Sequence, residues 1–213
     1  MKILKPTFWN NKNLISIIIY PITFITNFIN FIKNFTPKNK FKIKTICIGN
    51  IPLGGTGKTS LAIKINNILK NKFKTVFIKK FYEDQRDEIN LLKRNGEVIA
   101  KSDRLQCLHN AELNNFEIAI LDDGLQQKNI SYSLKIACFN TSEGIGNGYL
   151  LPAGPLRESL NELKNYDVAF LNGYRKNFQL KKKIKSINNK IKIFEGVYKP
   201  ANLLKLNRKK KYL

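Results

Sequence analysis

Acidic residues, histidine and sulfur are scarce in this chain. Fifteen aspartates and glutamates stand against 38 lysines and arginines, which leaves a formal net charge of +23 over 213 residues. Such a surface favours an anionic partner, whether nucleic acid, acidic phospholipid or a phosphorylated substrate, without choosing among them. Lysine, asparagine and isoleucine are abundant throughout, so part of the bias is compositional. The three cysteines, Cys47, Cys107 and Cys138, lie far apart with no C-x-x-C spacing, and two sit in apolar runs of strand character. They are read as reduced and structural. His109, the single histidine, has no Cys or His neighbour at ligand spacing, so no zinc cage is expected. The lysines are spread through every predicted helix instead of gathering on one face with interleaved aromatics, which argues against a nucleic-acid-binding module. No nucleic acid and no obligate protein partner is expected.

What is present begins with an apolar segment over residues 12–35. Leu14, Ile18, Ile22, Ile25, Ile29 and Ile32 recur at helical spacing opposite Ser16, Thr23, Thr26, Asn27, Asn30 and Asn34, the pattern of an amphipathic helix. Pro21 and the asparagines would be costly at a bilayer centre, so residues 1–36 are expected to form a helix lying in a membrane interface. Lys2, Lys5, Lys12 and Lys33 could meet anionic lipid. The competing readings are a helix packed on the domain and a signal or spanning segment, the latter without a small-residue cleavage site.

Residues 41–213 form the expected core. Short β-rich runs at 43–48, 75–78, 118–121, 134–139, 168–171 and 192–194 alternate with stretches long enough for crossover helices. That alternation predicts an α/β fold of the P-loop NTPase-like type, a mainly parallel sheet flanked by helices. The basic tail over 205–213 reads as a chain cut at the start of a further strand.

The first strand runs into IGNIPLGGTGKTSLAIKI, giving strand, glycine-rich loop and helix in the required order. Pro52, Leu53, Gly54, Gly55, Thr56, Gly57, Lys58 and Thr59 are expected to bind nucleotide. The glycines let backbone N–H groups close around phosphate oxygens, Lys58 reaches the terminal phosphates, and the Thr59 hydroxyl can bind Mg²⁺. The strict G-x-x-x-x-G-K-[ST] pattern would have glycine where Pro52 stands. The bland alternative is a glycine-rich turn without nucleotide.

A second apolar run, EIAILDDGLQ, delivers Asp122 and Asp123 to the carboxyl edge of the sheet, where ligands of such folds bind. They resemble a Walker B element that would share Mg²⁺ with Thr59. A solvated Asp-Asp-Gly turn is the plain alternative. Between the two motifs, FYEDQRDEINLLKR is acid-rich in a basic chain. Asp87, with Glu88, is a candidate general base or else an ordinary helix N-terminal carboxylate.

KPTFW, GNIPLGGTGKTSL, ILDDGLQ and above all GNGYLLPAGPLRESL together resemble the lipid A 4'-kinases, from about Pro6 to the C-terminus. The resemblance implies transfer of the ATP γ-phosphate to the 4'-hydroxyl of a tetraacylated disaccharide 1-phosphate at the cytoplasmic face of the inner membrane. It implies ATP and Mg²⁺ as cofactors, Lys58, Asp87, Arg104, Asp122 and Asp123 as catalytic residues, and Thr59 with both aspartates at the metal. Arg104 in KSDRL is expected near the phosphates, and Gly146, Gly148, Pro152, Gly154 and Pro155 are expected to fix a loop. The chain departs from the family twice. IKKFYEDQ stands where a Ser-Arg-Gly-Tyr-Gly-Gly-like segment is usual, and a second lobe bearing a histidine partner for the base would lie beyond Leu213. A membrane-associated switch ATPase or GTPase is the alternative function.

Overall fold

The computed structural model describes residues 5–198, except the side chain of Asp84; Lys2 and the tail over 205–213 lie outside them. Within these residues seven strands form one parallel sheet: β1 (Lys44–Gly49), β2 (Thr75–Lys80), β3 (Val98–Lys101), β4 (Ile118–Asp122), β5 (Leu134–Asn140), β6 (Val168–Asn172) and β7 (Lys192–Gly196). Their order is β3-β2-β4-β1-β5-β6-β7. Six of them lie within two residues of the expected runs. The seventh, β3, is not among the expected runs: it is a four-residue edge strand whose apolar run, Val98 to Ala100, is too short to stand out and only partly buried.

The helices are α1 (Leu14–Ile19), α2 (Thr23–Asn34), α3 (Lys58–Leu69), α4 (Arg86–Lys93), α5 (Arg104–Leu113) and α6 (Phe178–Ile187). They cover both faces of the sheet. Ala62 of α3 and Leu92 of α4 pack with Ile48, Phe77, Ile120 and Cys138 on one face. Cys107 and Leu108 of α5, with Leu180 and Ile184 of α6, pack with Cys47, Val76, Leu121 and Phe139 on the other. Every residue of β4 is buried, as a central strand covered twice requires. Burial pushes the Cys47 and Cys138 thiols up to about 12, which leaves both protonated and inert.

A 3₁₀ turn at Tyr20–Ile22 joins α1 to α2 where Pro21 has no N–H to give, so Leu14–Asn34 runs as a single 21-residue helix. Its polar side is turned inward. Ser16 and Thr23 are buried, Thr26 Oγ1 donates to the Leu151 carbonyl at 2.8 Å, and Asn30 Nδ2 to that of Arg157 at 2.9 Å. The stripe from Leu14 to Ile32 faces outward, each of its six residues 46% to 74% exposed.

Candidate nucleotide site

The phosphate loop leaves β1 at Gly49 and enters α3 at Lys58, with Gly57 turning the corner at φ +80°. A side chain there would also stand 2.5 Å from Asn172 Nδ2, which donates to the Thr56 carbonyl at 3.3 Å. Pro52 is accommodated because its neighbours do the hydrogen bonding. Leu53 N–H donates to the Pro155 carbonyl at 2.8 Å, and Arg157 N–H donates to that of Ile51 at 2.9 Å, so a short antiparallel bridge links loop and GPLR segment across Pro52 and Leu156. Buried Asn50 ties the loop to itself through the Pro52 and Gly54 carbonyls. Above lies a cavity of about 410 Å³, walled by residues 54–60 and by Lys79, Gln85, Glu88, Asp123 and Arg157.

The two aspartates at the end of β4 sit in different surroundings. Asp122 is fully buried; its Oδ2 accepts from Thr59 Oγ1 at 3.0 Å and from Lys79 Nζ at 2.8 Å. Its Oδ1 is buried without a hydrogen-bond partner among the described residues. An anionic oxygen left unpaired beside a hydroxyl suits a hard cation such as Mg²⁺. Asp123 has a left-handed backbone, φ +63°, and anchors two cations: Arg157 Nη1 at 2.9 Å and Lys58 Nζ at 3.7 Å. Burial pushes its carboxyl upward, but Lys58, Arg157 and Lys79 outweigh that and hold it below the usual range.

Lys58, Thr59, Asp122 and Asp123 therefore meet at one place. Arg104 does not join them: it is largely buried, donating from Nη2 to the Asp123 carbonyl at 2.7 Å and from Nη1 to Gln127 at 3.1 Å. Its position braces the aspartate turn from behind. Asp87 is exposed in the first turn of α4, where Glu88 lines the cavity instead. Two cations in the cavity carried no recognised signal. Arg157 lies in the segment expected to be structural, and Lys79 lies in an apolar strand. An arginine following Gly-Pro-Leu and a lysine inside TVFIKK were the available hints.

The segment over 146–158 does fix a loop. Asn147 Nδ2 donates to the Phe8 and Ala153 carbonyls, Trp9 Nε1 donates to that of Pro152 at 2.9 Å, and a Cβ on Gly154 would lie 2.2 Å from Asn147 Oδ1.

A parallel sheet whose first strand feeds a glycine-rich loop, a Lys-Thr helix start and a buried Thr–Asp pair defines a P-loop nucleotide-binding α/β protein. The fold is shared with LpxK from Aquifex aeolicus, solved in complex with ATP (TM-score 0.67, 21% identity, 85% of this chain and 64% of that one). It is shared more distantly with HypB from Helicobacter pylori (TM-score 0.50, 13% identity, 84% and 86%). The chain belongs to the tetraacyldisaccharide-1-P 4'-kinase (LpxK) family, whose model matches residues 15–212. It is 47% identical over 217 residues to the tetraacyldisaccharide 4'-kinase of Pelagibacter ubique, covering all of this chain and 69% of that protein. It is 33% identical over 192 residues to that of Rickettsia bellii, covering 81% and 60%.

Proposed function

We propose that the protein transfers the γ-phosphate of ATP to the 4'-hydroxyl of a tetraacyldisaccharide 1-phosphate while lying on the cytoplasmic face of a bacterial inner membrane. One observation carries the reading. The segment over 149–158 is bonded on one side to the phosphate loop and on the other to the polar face of the α1–α2 helix, whose apolar face is bare. The nucleotide cavity and a surface suited to lipid thus share one wall, as a kinase acting on an acylated sugar needs. A 21-residue apolar helix with asparagines along one side fits the headgroup boundary better than a bilayer centre.

In the reaction the sugar oxygen forms a bond to the γ-phosphorus, the bond to the β,γ-bridging oxygen breaks, and ADP leaves with that electron pair. The backbone N–H groups at the start of α3 and the Lys58 ammonium hold the phosphates, and Arg157 stands ready to exchange Asp123 for developing charge on the transferred group. Thr59 and Asp122, with Asp123 alongside, would hold Mg²⁺, which neutralises phosphate charge when bound. The first turn of α4, with Asp87 and Glu88, would take the hydroxyl proton.

The test uses labelled ATP and the disaccharide acceptor in lipid vesicles. Label is expected in the acceptor, with little free phosphate in its absence. Phosphate release at the same rate without acceptor would instead mark a switch ATPase.

A further inference from the structure

Lys79 is the least expected group in the cavity. It projects from the carboxyl end of β2 with 3% of its side chain exposed, and its ammonium bridges two carboxylates: Asp122 on β4 and Glu88 in the first turn of α4. It belongs to IKKFYEDQ, the segment that runs from the end of β2 toward α4. The Asp122 oxygen it contacts is the one that also accepts from Thr59, so a fixed positive charge stands against the pair suited to Mg²⁺.

We propose that Lys79 is a positioning residue that serves as a resident cation of the nucleotide site. It holds Asp122 and the acidic turn of α4 together, and it sets how strongly the site depends on a divalent ion. The proposal rests on the nucleotide reading above. Asp123 and Glu88 line the cavity and Asp122 lies buried directly beneath it, so three carboxylates would otherwise oppose the incoming phosphates; Lys58, Arg157 and Lys79 offset them. A monovalent charge hydrogen-bonded to a would-be metal ligand repels a divalent ion at that ligand, and it attracts phosphate when no metal is there. Its loss should therefore move two affinities in opposite directions. ATP binding without metal weakens, because the cavity becomes more anionic, and binding of the divalent ion tightens, because Asp122 is freed.

The experiment titrates a fluorescent ATP analogue into the full chain, first in chelator and then at fixed nucleotide with rising Mg²⁺. The variants are Lys79→Met, Lys79→Gln and Lys79→Arg, each checked by thermal unfolding. Lys79→Gln retains a donor for Asp122 and so remains informative if the apolar methionine variant fails to fold. For both neutral variants, metal-free affinity is expected to fall about tenfold or more and the half-saturating Mg²⁺ concentration to drop by a similar factor, the scale of one nearby charge in a partly buried site. Lys79→Arg should return both values toward wild type. Affinities that weaken together, or that do not change, overturn the proposal and leave the nucleotide reading standing. Failure of the wild-type chain to bind the analogue at all overturns both.

Discussion

Three arginines and lysines surround the Asp123 turn, and they hold it in chemically different ways. Lys58 and Arg157 meet its carboxylate from the cavity side, while Arg104 meets its backbone carbonyl from behind. On the proposed reading Lys58→Ala should abolish transfer with the unfolding temperature little changed, because it removes the group proposed to meet phosphate while Asp123 keeps its pairing with Arg157. Arg157→Ala should lower kcat by about a hundredfold or more, the scale of a lost transition-state donor. Arg104→Ala should behave oppositely. Stripping a largely buried guanidinium leaves the Asp123 carbonyl and Gln127 unsatisfied, at about 1–3 kcal/mol, so the chain should melt earlier with activity lost only through the unfolded fraction. Steady-state kinetics beside thermal unfolding of the three variants separates these outcomes. The loop and the Asp-Asp pair were legible in the sequence because each is contiguous and lies at a strand end. Arg157 and Lys79 were not, because only the pairing of distant segments brings them to the cavity.

At the scale of elements, the helix from Leu14 to Asn34 was legible as amphipathic, but periodicity alone does not say which stripe faces the protein. Here the polar stripe docks, since Thr26 and Asn30 satisfy carbonyls of the loop beneath. At its end Asn34 meets Glu162, which with Glu158 grips Lys128 at 2.8 and 2.9 Å. Burial pushes Glu162 up, but hydrogen bonding and charge from Lys128, then Asn34 and Asn165, outweigh it and hold it below its ordinary 4.5. A carboxyl with a depressed folded pKa contributes stability above its unfolded value, and that contribution is lost as pH falls through the folded one. Burial holds Glu158 the other way, above its ordinary value despite Lys128 and Tyr166. Its contribution therefore has the opposite sign, growing as pH falls through its folded value, and it offsets part of the acid loss. The unfolding temperature should hold or rise slightly from neutral pH to about 5, as Glu158 takes up its proton, and fall below about 4 as Glu162 takes up its own. Glu162→Gln should lower the plateau and flatten that limb, as a series of melts across pH would read. A limb of unchanged slope would place the acid-sensitive group elsewhere.

For the molecule as a whole, the helix and the nucleotide site are expected to be coupled. The division at residues 36 and 41 suggests that the first part could be removed to leave a nucleotide-binding core, but the contacts argue otherwise. Removing residues 1–36 would take away Trp9 from the Pro152 carbonyl, and Thr26 and Asn30 from the Leu151 and Arg157 carbonyls. Those carbonyls belong to the segment that bonds to Ile51 and Leu53 of the phosphate loop and carries the Arg157 side chain into the cavity. Deletion should therefore weaken ATP binding about tenfold or more, since three hydrogen bonds of about 1 kcal/mol each hold that wall in place. Changing the outward face alone should not. The triple variant Ile18→Ser, Ile25→Ser and Ile29→Ser removes exposed apolar surface and none of the inward bonds. It should release the protein from anionic vesicles, because apolar insertion supplies most of the anchoring and the lysines assist, yet bind ATP within about twofold of wild type, the ordinary range for surface changes. Vesicle flotation and nucleotide titration on both variants decide the point. Full ATP affinity after deletion would show that the wall over 149–158 stands unaided, and the helix would then serve the membrane only.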